Sequence, residues 1–545
     1  MGLISINTSK AISKTSWLQT HVNQSPWWLL ILEALALLVW FTLTTLLFAK
    51  EQNQTTLQPL TKEALEMTIS NERWNGIFFH DQKAGFAVNR TSSSADGTLL
   101  MEQRSVLKVA TFGRMQTIIT ASAALTDSDG YLKRFDFFMK AEDTQLSVRG
   151  EIKETQIVME LDQGTGELQY LDFPISKRPH VSLSLEAMLK QTKLAIGKEF
   201  NVPYFDPVSM SDGEMTIRVV DTEILENGDE AYWITSNFND IKTSSLVSSD
   251  GDILRQEGAL GISMVRMTAE EAQKFDSNKD PVDLISLSAV NLKGRIKDPR
   301  HTTQLSFKID GVKMEKVFNQ PPLQVVGKRI VTIDIPKLSE LPLEPMALQN
   351  PTDAQQKWLR DTLDIPSAHP KIIDQAEEVT QNATHRIDAV QKLNNFVYEY
   401  LEKIPVIGVP NGLNVLEAKQ GDCNEHTILF VSLARAVNIP TRLAAGVVYS
   451  DRTGPIGQFY YHAWPEVFMG ELDTPAGKQE IWLPVDPTFG QVPADATHIK
   501  LVEGGLDRQV EIMAFLGQLE LTLVQQGNQA QSEAEKSPKQ EEESQ

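Results

Sequence analysis

The chain has 545 residues and a formal net charge of −21 at neutral pH. A chain of this length forms about two to four domains, each with a hydrophobic core of its own. The acidic balance argues against a nucleic acid as a partner, because a negatively charged surface repels phosphate groups. Cys423 is the single cysteine, which excludes an intramolecular disulfide.

The N-terminal part contains one long apolar run over residues 27–49. A helix of this length spans a bilayer of roughly 30 Å, so we predict a transmembrane helix over residues 26–49. Residues 1–25 contain lysines and no acidic residue. This predicts a cytoplasmic N-terminus, with the bulk of the chain in the periplasm or outside the cell. The alternative is a cleavable signal peptide, which is normally shorter and ends at a small-residue cleavage site.

Residues 70–318 have a pattern typical of an antiparallel β-rich domain, which we expect outside the cytoplasm. Asp129-Gly130 separates apolar runs at 106–125 and 131–139 and therefore predicts a hairpin turn. Ser249-Asp250-Gly251 predicts a second turn of the same kind. Helical spacing interrupts the strands at residues 183–194 and 269–275.

Three further segments follow the β-rich domain. Residues 319–354 are rich in proline and leucine and predict a semi-rigid linker. Residues 355–522 form a second predicted domain, and residues 525–545 are a polar tail that predicts disorder. Near the start of the second domain, apolar side chains at helical spacing predict a helix that packs on the core. These side chains are Ile387, Val390, Leu393, Val397, Tyr400 and Leu401.

Cys423 lies at the start of an apolar helical pattern and directly follows Gly421-Asp422, which is typical of a helix cap. A thiol at a helix N-terminus is exposed to the positive end of the helix dipole, which favours the thiolate. Together with the positive charge of an imidazolium at His462, this effect is expected to lower the pKa of Cys423 from about 8.5 toward roughly 3.5–7.5. For a lone cysteine, the alternative is a buried and inert thiol.

A histidine and an aspartate follow in strand-like surroundings. His462 lies in an aromatic run that alternates as a strand does, and Asp486 follows a second such run and precedes Pro487. A nucleophile on a helix, a base on one strand and an orienting acid after the next strand fit the arrangement of a catalytic triad.

The residues around these three positions resemble the bacterial transglutaminase-like superfamily over roughly residues 355–522. The resemblance rests on Gly421-Asp422-Cys423-x-Glu425-His426, Leu433-x-Arg435-Ala436, Ile439-Pro440-Thr441-Arg442, His462-Ala463-Trp464-x-Glu466-Val467, Asp486-Pro487-Thr488 and Asp495-Ala496-Thr497-His498-Ile499.

The resemblance implies a papain-like α+β domain and acyl transfer through a thioester, with no cofactor and no metal. It implies that Cys423 is the nucleophile, His462 the general base and acid, and Asp486 the residue that orients the imidazole. Glu425, His426, Arg435 and Arg442 are expected to have structural roles. His498 either lines the cleft or is a histidine of a loop.

Together these patterns predict a membrane-anchored cysteine enzyme of the cell envelope. It would act on amide or ester bonds of a protein or peptide substrate, as a peptidase, amidase or acyltransferase. The alternative from another class is a non-catalytic envelope scaffold that uses the β-rich domain to bind a partner. The presence of Cys423, His462 and Asp486 together favours the enzyme, because a scaffold has no need of all three.

Overall fold

A computed structural model of the protein describes Leu60 and residues 67–530, apart from short gaps. The gaps are 112–113, 142–143, 164–167, 208–210, 240, 259–260, 276–280, 285–288, 405, 407–409, 452–456, 475–476, 506–507, 509–510, 513–514, 516 and 528. The predicted cytoplasmic segment, the predicted transmembrane helix and residues 531–545 of the predicted tail lie outside the described residues. Within the described ranges, no helix is long and apolar enough to cross a membrane.

The first half of the described chain forms one large sheet with antiparallel neighbours along its path. Its strands run in the order β8-β7-β6-β5-β4-β3-β2-β1-β14-β13-β12-β11-β10-β9. They are β1 Thr68–Phe79, β2 Gln82–Ser93, β3 Leu99–Thr111, β4 Arg114–Thr126, β5 Leu132–Ala141, β6 Thr144–Lys153, β7 Gln156–Asp162, β8 Leu168–Pro174, β9 Glu199–Asp206, β10 Ser211–Ile224, β11 Glu230–Phe238, β12 Ile241–Ser248, β13 Ile253–Glu257 and β14 Ile262–Met267. The short strand β15 Val282–Asp283 pairs in parallel with β3.

Local sequence signals account for the turns and helices of this sheet. In the turn between β4 and β5, the Asp127 carboxylate accepts the backbone N–H of Asp129 and of Tyr131, and Gly130 has a φ of +84°. That backbone conformation is one that glycine adopts without a steric penalty. The hairpins predicted at residues 129–130 and 249–251 are confirmed. The predicted helical segments contain α1 Leu185–Lys190 and α2 Ala269–Gln273.

A second sheet combines the middle of the chain with its C-terminal part. It is built from β16 Leu292–Lys293, β17 Gln304–Asp310, β18 Gln324–Gly327, β19 Ile330–Asp334, β26 Glu520–Gln526 and β27 Gln529–Ala530. Because β26 pairs with β17, residues far apart in the sequence share one core, in which Phe307, Val331 and Leu521 are fully buried.

This sheet corrects three predicted boundaries. The β-rich domain was expected to end at residue 318 and a linker to occupy 319–354, but β18 and β19 lie inside that segment. The alternation of Val331, Ile333 and Ile335, all buried, is a strand pattern that the nearby prolines obscure. The predicted tail also begins too early, because β26 extends to Gln526.

The remaining part of the described chain is an α+β domain that contains the three proposed catalytic residues. Its helices are α3 Asp353–Gln356, α4 Pro370–Thr380, α5 Arg386–Tyr400, α6 Gly412–Ala418 and α7 Cys423–Ala436. Its sheet has the order β24-β23-β22-β25 and consists of β22 Thr441–Ser450, β23 Gln458–Thr474, β24 Gly477–Pro484 and β25 Ile499–Glu503. A short parallel pair, β20 Glu402–Lys403 and β21 Gln420–Gly421, precedes α7.

The helices pack on this sheet through the apolar residues that the sequence indicated. Val390, Leu393 and Val397 of α5 are fully buried, in one cluster with Leu429 of α7 and Val467 of β23. The predicted core-facing stripe of α5 is therefore confirmed. This cluster fixes α7 against β23, and the N-terminus of α7 is where Cys423 lies.

Candidate active site

Cys423 is the first residue of α7, as the sequence predicted. The Asp422 carboxylate accepts the backbone N–H of Asn424 at 2.9 Å, and the Glu425 carboxylate accepts the backbone N–H of Asp422 at 2.9 Å. This reciprocal capping box satisfies backbone donors that the first turn of a helix leaves unpaired. It fixes the start of α7 at the cysteine.

Two contacts join this end of α7 to Ala463 of β23. The Cys423 sulfur accepts the backbone N–H of Ala463, and the Thr427 hydroxyl donates to the Ala463 carbonyl at 3.0 Å. Cys423 and Thr427 are one helical turn apart and lie on the same face of α7. The thiol is therefore positioned beside the residue that directly follows His462.

His462 and Asp486 are paired as the sequence predicted. The Nε2 atom of His462 lies 2.8 Å from Oδ2 of Asp486, and both side chains are buried. Asp486 is two residues beyond the end of β24. With Nε2 bonded to the carboxylate, Nδ1 is the ring nitrogen that can exchange a proton with a substrate or a thiol.

A second histidine binds the same carboxylate oxygen, and the sequence left its place open. Nε2 of His498 lies 3.0 Å from Oδ2 of Asp486, and its Nδ1 lies 2.9 Å from the carbonyl of Asp495. His498 lies in the loop directly before β25, as one of the two alternatives expected, and it is almost completely buried behind Asp486. The spacing of Asp495 and His498 within a block that resembles the family was the available signal.

The other oxygen of Asp486 is also fully used. Oδ1 accepts the backbone N–H of Thr488 at 2.7 Å and of Phe489 at 3.0 Å. Burial alone would raise the pKa of Asp486, but the charges and hydrogen bonds of His462 and His498 outweigh it and lower that pKa. Asp486 is therefore an ionised acceptor at neutral pH, with donors on both oxygens.

Aromatic rings fix the plane of the His462 imidazole. The ring stacks on Phe489 with a centroid distance of 5.1 Å and an interplanar angle of 9°. It also lies 6.2 Å from the Trp464 ring. The Arg300 guanidinium covers Phe489 at 4.7 Å and pairs with Asp495 at 3.0 Å. These contacts restrict movement of the imidazole away from Asp486.

The charge state expected for Cys423 requires correction. Burial raises the pKa of the Cys423 thiol, and the charges of Asp422, Glu425 and Asp486 act in the same direction. The N–H of Ala463 lowers the pKa but does not outweigh them. The helix dipole, one of the two effects behind the expectation, contributes only about 0.3–1 kcal/mol, so we expect the thiol to be mainly neutral in the resting site.

The reaction of Cys423 with iodoacetamide should reflect this raised pKa. Because the thiolate reacts, we expect the alkylation rate to keep rising above the pH of about 8.5 at which an ordinary cysteine levels off. Asp422→Asn keeps a good N-cap residue and removes one carboxylate, and should raise the rate at pH 7 roughly tenfold. Cys423 is the only thiol, so total labelling measures the rate. A plateau below pH 8 in the unmodified protein would contradict the raised pKa.

His498 should make the stability of the protein depend on pH in the alkaline range. Burial alone would lower its pKa, but Asp486 and Asp495 outweigh burial and raise it to about 9. A histidine whose pKa is raised by folding stabilises the folded state fully at pH values below its pKa in the unfolded chain, about 6.5. This stabilisation is lost as the pH rises through about 9. The loss should be on the order of 3 kcal/mol. Urea unfolding between pH 6 and pH 10 measures it, and His498→Gln should flatten the curve.

His462, Asp486 and His498 each offer one side-chain atom of a kind that binds divalent metal ions, and these three atoms lie within 4.8 Å of one another. However, each imidazole contacts the carboxylate oxygen directly, at 2.8 Å and 3.0 Å. A metal would require both Nε2 atoms to be deprotonated, whereas the raised pKa of His498 favours its protonated form. These three side chains therefore fit a hydrogen-bonded cluster better than a metal centre.

Further residues of the resembling blocks hold the scaffold together. The Arg435 guanidinium donates to the backbone carbonyls of Thr441 and Arg360 at 2.9 Å and 2.8 Å. Arg442 pairs with Glu466 at 2.8 Å, and Lys500 approaches the same carboxylate at 2.6 Å. This buried network connects β22, β23 and β25 and thereby supports the strand that carries His462. The structural roles expected for Arg435 and Arg442 are confirmed.

Part of the chain is similar to a known protein family. Residues 373–487 match the transglutaminase-like superfamily. The structure of a candidate cysteine protease from Cytophaga hutchinsonii is 13% identical, covers 41% of this chain and 81% of its own, and has a TM-score of 0.27. That of a candidate protease from Parabacteroides distasonis is 12% identical, covers 74% of this chain and 70% of its own, and has a TM-score of 0.18.

A comparison of the sequence with curated proteins finds no match. The resemblance stated from the sequence is confirmed for the part of the chain that carries the thiol, the histidine and the aspartate. The chain contains a transglutaminase-like domain at residues 373–487.

Proposed function

We propose that the protein is a transglutaminase-like cysteine enzyme that cleaves amide or ester bonds through a thioester on Cys423. The observation that carries the proposal is a thiol at the start of α7 that is hydrogen-bonded to Ala463. Ala463 directly follows His462, whose imidazole lies 2.8 Å from a buried aspartate. This arrangement brings together a nucleophile, a base and an orienting acid.

The first half of the proposed reaction uses a neutral thiol. Nδ1 of His462 takes the proton of the Cys423 thiol as the sulfur attacks the carbonyl carbon, and a C–S bond forms. The backbone N–H of Cys423, at the positive end of α7, is a donor for the oxyanion. The C–N or C–O bond then breaks, and the leaving group takes the proton from Nδ1. Asp486 stabilises the imidazolium that exists between these two steps.

The second half of the reaction resolves the thioester. Water or an amine attacks the carbonyl carbon, its proton passes to Nδ1 of His462, the C–S bond breaks and the sulfur recovers a proton. Water gives a carboxylic acid, as in a peptidase or amidase, and an amine gives a new amide, as in an acyltransferase. His498 acts behind Asp486 as a positioning residue, because its two nitrogens hold Asp486 and the Asp495 carbonyl.

The proposed place of action is the cell envelope, with a protein or peptide as substrate and residues 26–49 as a single membrane anchor. The support is the apolar run at 27–49 and the basic flank before it. A membrane-impermeant maleimide applied to cells with a permeabilised outer barrier should label Cys423 if the domain is outside the cytoplasm. Labelling only after lysis of the inner membrane would contradict this location.

Acid trapping of the acyl-enzyme tests the activity itself. Cell envelopes that contain the full chain are quenched with acid, and the peptide that carries Cys423 is analysed by mass spectrometry. We expect an added acyl mass on Cys423, at a level that falls strongly in His462→Ala. Absence of any acyl adduct on Cys423 in the unmodified protein would overturn the proposal in favour of the non-catalytic scaffold.

A further inference from the structure

The concave side of the large β-sheet lines a partly open cavity that the proposed reaction does not use. Its volume is about 710 Å³, within the range of roughly 300–1,000 Å³ that ligand pockets occupy. The cavity is partly open to solvent, so a ligand of suitable size can enter it.

The walls of the cavity come from distant parts of one sheet. Leu99 and Met101 of β3 line it together with Ile217 of β10, although several strands separate β3 from β10 in the sheet order. The sheet must therefore curve around the cavity. Leu185 and Leu189 of α1 line it as well, so the short helix covers part of the concave side.

One wall of the cavity is mainly apolar, although Asp206, Ser236, Thr243, Ser245, Arg255 and Gln256 line it as well. Strands β9 to β13 contribute Tyr204, Met215, Ile217, Ile234, Phe238 and Ile253. Ile253 and Met264 of the neighbouring β14 are only half-buried, which leaves apolar surface facing the cavity. Water solvates such a surface poorly, and a hydrocarbon chain would cover it.

The opposite wall, from β1 to β3, carries a row of polar side chains. The strand register places Arg73 beside Asn89 and Asn89 beside Gln103, and the Gln103 amide donates to Asn89 at 3.0 Å. All three side chains line the cavity. A ligand in this cavity would therefore meet mainly hydrocarbon on one side and mainly hydrogen-bonding groups on the other.

Arg73 identifies the end of the cavity that would bind a charged group. Its side chain is 9% exposed, and its terminal nitrogens pair with Glu186 and Asp252. Among the described residues, no acceptor reaches its buried Nε atom. A buried donor without an acceptor costs free energy, and an acceptor oxygen of a ligand would remove this cost. Lys190 pairs with the same two carboxylates, which leaves less of their negative charge to repel an anion.

We propose that this cavity binds a single-chain amphiphile with an anionic head group, such as a long-chain fatty acid. The hydrocarbon chain lies against the wall of β9 to β13, and the head group accepts hydrogen bonds from Arg73 and its polar row. The site contains none of the residues of the catalytic cluster, so the proposal is independent of the enzymatic activity.

Photo-crosslinking in membranes that contain the full chain tests the proposal. The probe is palmitic acid with a diazirine in its chain, and crosslinked peptides are mapped by mass spectrometry. We expect the crosslinks on β9 to β13 and on α1, with competition by palmitate about tenfold stronger than by hexadecanol, because the uncharged alcohol loses the charge-assisted bond to Arg73.

Two variants and a matched control complete the test. Ile217→Trp fills the cavity and should reduce crosslinking about tenfold, whereas Val220→Trp on the same strand, which is 44% exposed, should leave it unchanged. Arg73→Gln should remove the preference for palmitate over hexadecanol. Crosslinks of the unmodified chain that map outside the cavity strands would overturn the proposal, whether or not the variants fold. Equal crosslinking in Ile217→Trp and Val220→Trp would overturn it as well.

Discussion

Replacing His462 by alanine is expected to slow the acylation of Cys423 by about 10²–10⁴-fold, the contribution of a positioned general base. The effect should be large because burial and neighbouring carboxylates raise the pKa of the thiol, so little thiolate is present without a base. The measurement is the burst of p-nitrophenolate from p-nitrophenyl acetate, which reports thioester formation and needs no natural substrate. With a single cysteine in the chain, the burst amplitude counts acylated Cys423.

Two controls separate a base from a structural histidine. His385 lies before α5, and its side chain is 38% exposed, so His385→Ala should retain the full burst rate. Added imidazole should restore part of the rate of His462→Ala, because a soluble base can enter the space left by the ring. A burst rate of His462→Ala equal to that of the unmodified protein would show that His462 does not activate the thiol.

Local patterns predicted the elements of the site because each depends on a few adjacent residues. The helix that starts at Cys423 follows from the cap at Asp422 and from the apolar spacing after it. The strand of His462 follows from its aromatic, β-branched surroundings. The pairing of His462 with Asp486 was suggested by their positions on and after successive strands, and the family resemblance strengthened it.

The place of His498 could not be predicted from the sequence, because it depends on how the chain returns after Asp486. The backbone of Asp486 pairs with Gln491, and the N–H of Ala494 donates to the Pro484 carbonyl at 2.8 Å. This compact loop brings His498 back into contact with the Asp486 carboxylate. Such a contact is set by loop geometry and not by periodicity.

The predictions of the thiol pKa and of the domain boundary were wrong for a similar reason, because both depend on tertiary structure. The helix dipole is visible in the sequence, but the burial that raises the pKa of Cys423 is a tertiary property. The pairing of β26 with β17 joins segments more than two hundred positions apart. No sequence pattern near Gln304–Asp310 indicates which strand pairs with β17.

Replacing Asp486 by asparagine is expected to damage both stability and turnover. Four donors converge on the carboxylate, namely the imidazoles of His462 and His498 and the backbone N–H groups of Thr488 and Phe489. An asparagine presents an NH₂ group to one pair of these donors in either orientation. A buried donor left unpaired costs about 1–3 kcal/mol, and loss of a charged partner of buried His498 about 3–5 kcal/mol. Urea unfolding at pH 7 measures the loss.

Turnover should fall in addition by about 10³–10⁴-fold, because His462 loses the acceptor that fixes its tautomer. The double variant Asp486→Asn with His498→Gln separates the two effects. His498→Gln removes the imidazolium that Asp486→Asn leaves without a charged partner, so part of the stability should return. The p-nitrophenolate burst should stay as low as in Asp486→Asn. If the burst recovered together with the stability, Asp486 would act only through the fold, and the orientation of His462 would have to come from its stacking on Phe489.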